Sequence, residues 1–164
     1  MKENTLIQQV DQNELRVMQF CVMLMLLTGF ILNQWEVIAA QVVIFLLTVI
    51  STSLNPFILL YRFILRPLNI INSDYREDHL QPHRFASSIG FFVSSCSVYF
   101  LITGNDVIGW GLSVLIVILG VFALSGWCAG CFSYYMINRI GLKGFFKYSP
   151  VNDSFPGARP PKNK

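Results

Sequence analysis

Two cysteines set among glycines are the residues of this chain best suited to chemistry. Cys128 and Cys131 are three positions apart in residues 126–132 (GWCAGCF), where the last long apolar run ends. On a helix this spacing places the two Cβ atoms about 5–6 Å apart, and a disulfide needs about 4 Å, so a small adjustment closes it. The pattern predicts reversible thiol–disulfide exchange or sulfur carriage, with Cys128 and Cys131 as the candidate catalytic residues.

The reactivity of this pair depends on the helix around it. If the last apolar helix ends near Gly126 and a new helix begins at the pair, the thiols lie at a positive helix N-terminus, which lowers their pKa and favours the thiolate. If the helix continues through the pair, the thiols lie near a C-terminus and stay inert. The alternative interpretation is that both cysteines are small apolar residues that only pack.

Arginine and histidine side chains give weaker candidate sites. Arg62 and Arg66 share one helical face and are weak candidate substrate-binding residues for an anion such as a sulfur oxyanion or a lipid phosphate. Ordinary snorkelling at a membrane surface is the simpler explanation of both. His79 and His83 would complete a Cys2His2 zinc set with the two cysteines. Pro82 interrupts the histidine pair and the spacing matches no common zinc finger, so no metal site is expected.

Long uncharged runs dominate the rest of the chain. Hydrophobic residues make up 54% of it and charged residues 13%, whereas a soluble domain carries roughly 25% charged residues. Asn55-Pro56 breaks the second run, and the arginine-bearing stretch after it is predicted to be a short interfacial helix. We therefore predict an all-α membrane protein, a bundle of four transmembrane helices with an interfacial helix after the second span. The predicted spans are about residues 17–32, 37–54, 85–103 and 107–126.

Small residues recur every four positions at the start of the third span. Ala86, Gly90 and Ser94 would share one helical face, and small residues at this spacing let helices approach closely in lipid. One domain accounts for the chain: residues 1–148 are predicted to be the four-helix membrane domain, and the polar, proline-rich residues 149–164 a disordered cytoplasmic tail. The first apolar run follows a net negative leader, so a cleaved signal peptide is not expected.

Lysine and arginine fall on one side of the predicted membrane. All twelve lie in the N-terminal tail, in residues 55–84 or after the fourth span, and the turns 33–36 and 104–106 contain none. The positive-inside rule then places both termini in the cytoplasm of a bacterial inner membrane. No charged residue lies inside a predicted span, which disfavours an ion-coupled transporter. The net charge of +3 does not indicate nucleic acid.

Several short motifs resemble a known family of small bacterial integral membrane proteins, known only as domain of unknown function 4395. The resemblance covers about residues 8–145 and implies a four-helix membrane fold. It also implies a loose link to soluble thioredoxin-like or rhodanese-like partners, and it supplies no established activity. The motifs are Asp11…Arg16, Asn55-Pro56, Tyr61-Arg62…Arg66-Pro67, Pro82-His83-Arg84-Phe85-Ala86 and Gly126-Trp127-Cys128-Ala129-Gly130-Cys131…Tyr134.

The leading hypothesis is thiol-redox or sulfur handling through Cys128 and Cys131 at the cytoplasmic face, with the lipid bilayer and a soluble protein as partners. One alternative is a non-enzymatic structural or accessory membrane subunit whose cysteines only pack. The other is a passive conduit for a small sulfur anion. Whether the protein is an enzyme is left open, and the sequence indicates no particular cofactor or oligomeric state.

Overall fold

The computed structural model describes residues 8–68, 71–140 and 155–160, and within them the chain is mostly helical. A 3-10 turn, Thr52–Leu54, follows the second helix, and a π-helical segment, Tyr61–Leu65, continues the third. Two short antiparallel strands, β1 (Gln8–Asp11) and β2 (Tyr75–Asp78), join the N-terminal end to the segment before the fourth helix. The helices are α1 (Gln12–Leu32), α2 (Trp35–Ile50), α3 (Pro56–Leu60), α4 (Leu80–Ile102), α5 (Asp106–Ser125) and α6 (Ala129–Arg139).

Three of the described helices, α1, α4 and α5, are long and apolar enough to cross a membrane. With 16 residues, α2 measures about 24 Å at 1.5 Å per residue, less than a hydrocarbon core of about 30 Å. The structure therefore agrees with a helical membrane protein with three candidate spans. The fourth span and the interfacial position of α3 stay predictions.

The end of α2 is set by a distant arginine. The sequence predicts this helix through residue 54, but it ends at Ile50 and Ser51 is extended. The guanidinium of Arg84 on α4 donates to the carbonyl oxygens of Val49, at 2.6 and 2.9 Å, and of Ile50, at 3.0 Å. The last carbonyl groups of a helix lack partners within it, so this arginine satisfies them and permits the early end.

The start of α1 is tied to two other parts of the chain through Asp11. Its carboxylate caps the helix by accepting from the backbone N–H of Asn13 at 3.0 Å. The same carboxylate accepts from the hydroxyl of Tyr61, which is fully buried, at 2.8 Å and from the backbone N–H of Asp74 at 3.0 Å. This one side chain therefore both caps α1 and fixes its start against the segment after α3.

The central helix of the bundle is α4, which packs against α2, α5 and α6. A Cβ added at Gly90 would lie 2.8 Å from the ring of Phe45 on α2, and one added at Gly130 would lie 2.5 Å from the Cβ of Ala86. Ser94 is fully buried on the same face. The small-residue face predicted for this helix is confirmed, because α2 and α6 approach it at contact distance. The α4–α6 contact positions the candidate site.

Candidate functional site

The two cysteines lie where one helix ends and another begins. Gly126 ends α5 in the left-handed conformation, with φ of +108°, and α6 begins at Ala129 with Cys128 as its N-cap. A left-handed C-cap is a position that glycine occupies at little cost. Of the two arrangements that the sequence allows, the structure therefore has the one in which a new helix starts at the pair.

The sulfur of Cys128 is placed to carry negative charge. It accepts from the backbone N–H of Cys131 at 3.3 Å, as the cap of α6. A hydrogen bond from the Cys131 thiol lowers the pKa of Cys128 to about 6, and the charge of His83 and the backbone N–H groups of Cys131 and Gly130 also lower it, against the opposing effect of burial. At neutral pH Cys128 is therefore mostly a thiolate, the reactive form of cysteine.

Cys131 lies deeper and is the opposite kind of thiol. Its side chain is buried, and its sulfur is 3.7 Å from Nδ1 of His83. The hydrogen bond that it gives to Cys128, together with burial and the charge of that thiolate, raises its pKa well above the usual value. The pair therefore consists of one thiolate and one protonated thiol with an imidazole beside it.

A buried carboxylate holds that imidazole in place. Nε2 of His83 lies 3.0 Å from Oδ2 of Asp78, which also accepts from the side-chain amide of Gln12 at 3.0 Å. The other oxygen of Asp78 accepts from the backbone N–H of His79 at 2.8 Å. Burial alone would raise the pKa of Asp78, but the hydrogen bond and charge of His83 and the bond from Gln12 lower it below its usual value. The ionised carboxylate thus orients His83 with Nδ1 towards Cys131.

A short segment near the C-terminus, residues 155–160, lies across the start of α6, and we call it the strap. The carbonyl of Gly157 accepts from the backbone N–H of Cys128 at 2.8 Å, and the N–H of Arg159 donates to the carbonyl of Gly126 at 2.9 Å. Arg76 on β2 donates to the carbonyl of Pro160 at 2.6 Å. The strap falls within the predicted disordered tail, residues 149–164, whose remaining residues lie outside the described part of the chain.

A small cavity adjoins both thiols, with a volume of about 40 Å3. A buried cavity needs roughly 10–15 Å3 per water molecule, so this one has room for about three waters or one small ion. Two arginines line it, Arg16 from the first turns of α1 and Arg159 from the strap, together with Cys128, Cys131 and Gln19. The cavity therefore combines a thiolate with two guanidinium groups.

The arginines proposed from the sequence, Arg62 and Arg66, lie elsewhere. Arg62 forms a two-pronged ion pair with Glu14, at 2.7 and 3.1 Å, and the guanidinium of Arg66 lies 5.9 Å from the ring centroid of Tyr75. Both line a separate cavity beside β1, with a volume of about 360 Å3. The structure thus does not bring them to the cysteines, and their role in binding a substrate stays a prediction.

The zinc set considered from the sequence is not assembled. His83 has its two ring nitrogens beside Cys131 and Asp78, and the backbone of His79 bonds to Asp78. In the described residues, no group of three or more His, Cys, Asp or Glu side chains is arranged to hold a metal ion. His83 is therefore placed to exchange a proton with Cys131.

Sequence reasoning did not identify the roles of Asp78, Arg16 and Arg159, and it considered His83 only as a zinc ligand. A signal for His83 was present, because it directly precedes the apolar part of α4 at the same predicted membrane face as the cysteines. Asp78 lies only five residues before His83, whereas Arg16 and Arg159 reach the site from distant parts of the chain and have no local signal.

One comparison with known proteins gives a match. Residues 10–139, which is most of the chain, match a family described as Domain of unknown function (DUF4395). The match covers the two cysteines, His83, Asp78 and Arg16, and it ends before the strap. No curated protein and no solved structure matches the chain. The family description assigns no activity.

Proposed function

The chain belongs to the DUF4395 family, and from this premise and the site geometry we propose that it performs thiol–disulfide exchange or sulfur transfer through Cys128 and Cys131. One observation carries the proposal: Cys128 caps α6 as a low-pKa thiol, and the protonated Cys131 behind it contacts His83. Two cysteines that only packed would need neither the cap nor the imidazole. A nucleophile with a second thiol and a proton acceptor is the arrangement that exchange chemistry uses.

The exchange has two steps. In the first, the Cys128 thiolate attacks one sulfur of a disulfide substrate, a new S–S bond forms, and the other half of the substrate leaves with the electron pair and takes the proton of the His83 imidazolium. In the second, the now neutral His83 accepts the proton of Cys131, whose thiolate attacks the Cys128 sulfur, and the second half of the substrate leaves and takes that proton. The protein pair is oxidised to a disulfide, and the substrate is reduced to two thiols.

We place this site at the cytoplasmic face of a bacterial inner membrane, in a bundle of four spans with both termini inside. The distribution of all twelve lysines and arginines supports this orientation. A cytoplasmic site is accessible to a soluble thioredoxin-like or rhodanese-like protein, the partner class that the sequence resemblance implies. Such a protein would return the pair to the dithiol state after each cycle.

The first test is the pH dependence of alkylation. The protein is purified in detergent with Cys21 and Cys96 replaced by alanine, and iodoacetamide is applied to two variants, Cys131→Ser and Cys128→Ser. We expect the rate at Cys128 to rise through about pH 6 and then level off, because its thiolate forms there. In Cys128→Ser the thiolate of Cys128 no longer raises the pKa of Cys131, but burial still does, so Cys131 should react at higher pH than Cys128 and more slowly. In a Cys131→Ala variant, which lacks the side-chain donor, the apparent pKa of Cys128 should rise.

Two results would count against the proposal. If Cys128 titrates near the free-thiol value of about 8.5, the cap and the Cys131 donor do not activate it. If neither cysteine reacts at any pH in folded protein, both are packing residues. Either result would favour the accessory-subunit alternative, in which the pair has no chemical role.

A further inference from the structure

Resting on the proposed function, we propose that the substrate of Cys128 is a small anion that carries a sulfane sulfur, of which thiosulfate is the simplest example. Arg16 and Arg159 would hold it in the cavity beside the thiols. The charge of the cavity, its size and the chemistry of the two cysteines support this kind of substrate.

The charge of the cavity favours an anion. Neither Arg16 nor Arg159 forms a salt bridge among the described residues, whereas Arg62 and Arg76 each pair with a carboxylate. Among the described residues, the side chain of Arg16 makes one long contact, 3.4 Å, with the amide oxygen of Asn13. Within that part of the chain, two guanidinium groups therefore line the cavity without a carboxylate partner.

The one carboxylate that lines the cavity is already engaged. Both oxygens of Asp78 accept hydrogen bonds, from Gln12, His83 and the backbone of His79. A thiolate and an anionic substrate repel each other, and only nearby cations make their encounter favourable. Guanidinium groups suit oxyanions because their planar donors match two oxygens at once. The cavity therefore has the features expected when both reactants are negative.

The size of the cavity limits the substrate. About 40 Å3 holds an ion of a few atoms, such as thiosulfate. A second cavity of about 140 Å3 also reaches Cys128 and His83, but among the described residues its lining contains no arginine, so it lacks the guanidinium groups that suit an oxyanion. The position of the smaller cavity gives Cys128 direct access to such an ion, since the sulfur that accepts from the α6 backbone also lines that cavity. A small anion with an electrophilic sulfur satisfies the size, charge and chemistry together.

The reaction balances with this substrate. The Cys128 thiolate attacks the outer sulfur of thiosulfate, the S–S bond breaks, and sulfite leaves with the electron pair and takes the proton of the His83 imidazolium, so that Cys128 becomes a persulfide. The neutral His83 then takes the proton of Cys131, whose thiolate attacks the inner sulfur of the persulfide. Sulfide leaves and receives that proton, and a Cys128–Cys131 disulfide remains. The sulfane sulfur is the oxidant, and a soluble dithiol reduces the disulfide.

The test uses the full chain in lipid nanodiscs, with Cys21→Ala and Cys96→Ala, and with Cys131→Ser to stop the reaction after the first step. Thiosulfate is the probe, and the readouts are sulfite release and the mass gain of one sulfur atom at Cys128. We expect Arg16→Gln and Arg159→Gln each to slow this reaction about three- to tenfold, because each removes one charge near the reacting anion. Arg16→Lys, which keeps the charge, should retain most of the rate.

Two controls separate charge recognition from damage to the site. The neutral compound bis(2-hydroxyethyl) disulfide should react with Cys128 at the same rate in all of these variants. Arg139→Gln removes an equal charge from the end of α6, at an exposed residue that does not line the cavity. It should leave both reactions unchanged.

The outcomes distinguish this inference from the function on which it rests. If Cys128 reacts with the neutral disulfide but the thiosulfate reaction is absent or insensitive to both arginines, the anionic substrate is wrong and the exchange function stands. If Cys128 reacts with neither probe, both proposals fail. If proteoliposomes take up labelled thiosulfate after the thiols are blocked, the passive conduit replaces sulfur transfer.

Discussion

At the residue scale, the site depends on two cysteines whose surroundings shift their pKa values in opposite directions. Cys128 receives hydrogen bonds and has a lowered pKa, whereas Cys131 donates one and has a raised pKa. The Cys131 thiol therefore stabilises Cys128 as the thiolate, and that thiolate keeps Cys131 protonated, so the pair holds a single proton. His83, held by Asp78, supplies the acceptor for that proton when Cys131 has to react.

Removing the charge of Asp78 should destabilise the fold as well as the site. Its folded-state pKa is lowered, so its stabilising contribution is present above the unfolded pKa and is lost as pH falls through the folded value. We expect Asp78→Asn to lower the free energy of unfolding near neutral pH by about 1–3 kcal/mol, since its buried partners lose a charged acceptor. Thermal unfolding in detergent, followed by circular dichroism, measures this.

The matched control is Asp106→Asn, at an exposed carboxylate in the first turn of α5. It should change the melting temperature much less. The difference between Asp78→Asn and the unmodified chain should shrink at acid pH below the usual carboxylate range, because the native carboxyl group is then protonated too. A difference that stayed constant down to pH 3 would show that the ionised form of Asp78 does not matter.

At the element scale, the strap packs so closely on α6 that a Cβ added at one glycine should displace it. Gly157 has φ of +79°, and a Cβ there would lie 2.8 Å from the carbonyl oxygen of Cys128 and 2.9 Å from the Cβ of Phe132. We expect Gly157→Ala to lift the strap from α6 and to raise the alkylation rate of Cys128 at pH 8 several-fold. Hydrogen exchange at the Cys128 amide, which now bonds to Gly157, should rise in parallel.

Gly104→Ala provides the control for backbone strain alone. Gly104 has nearly the same φ, +81°, and a Cβ there would meet nothing within 4 Å. It lies in the α4–α5 turn, so its replacement should leave the reactivity of Cys128 unchanged. Unaltered alkylation and exchange in Gly157→Ala would mean that the strap does not restrict access to the thiols.

Elements whose form depends on neighbouring residues could be predicted from the sequence, and those that depend on distant residues could not. The cap at Asp11, the small-residue face of α4 and the alternative of a new helix at Cys128 all depend on neighbours in the chain, and the structure has them. The early end of α2 depends on Arg84, more than thirty residues away. The strap and the pairing of β1 with β2 are equally non-local. No pattern within a short window encodes contacts of that kind.

At the scale of the whole molecule, the number of spans decides whether the site and the N-terminus lie on the same face of the membrane. If α1, α4 and α5 alone crossed the membrane, Arg62, Arg66, Arg76 and Arg84 would lie on the opposite side from the N-terminus. A crossing by α2 instead keeps every lysine and arginine on one side, as the positive-inside rule favours. The charge distribution therefore argues for four spans, although α2 is short.

Single cysteines in a cysteine-free chain test this arrangement with a membrane-impermeant maleimide. We expect Gln34→Cys and Asn105→Cys, in the two tight turns, to be labelled in cells whose outer membrane is permeabilised. Glu77→Cys on β2 should be labelled only in inverted vesicles. Three spans with the N-terminus inside would reverse the results for Asn105→Cys and Glu77→Cys. Three spans with the N-terminus outside would reverse the result for Gln34→Cys alone, so the pattern across the three positions identifies the topology.

The strap, residues 155–160, lies beyond the region of the chain that matches the family. The thiols, His83 and Asp78 fall inside the matched region, residues 10–139, whereas Arg159 falls outside it. In the proposed mechanism the thiols react while Arg159 helps to select the anion, so substitutions in the strap would change which anion is accepted without repacking the membrane bundle.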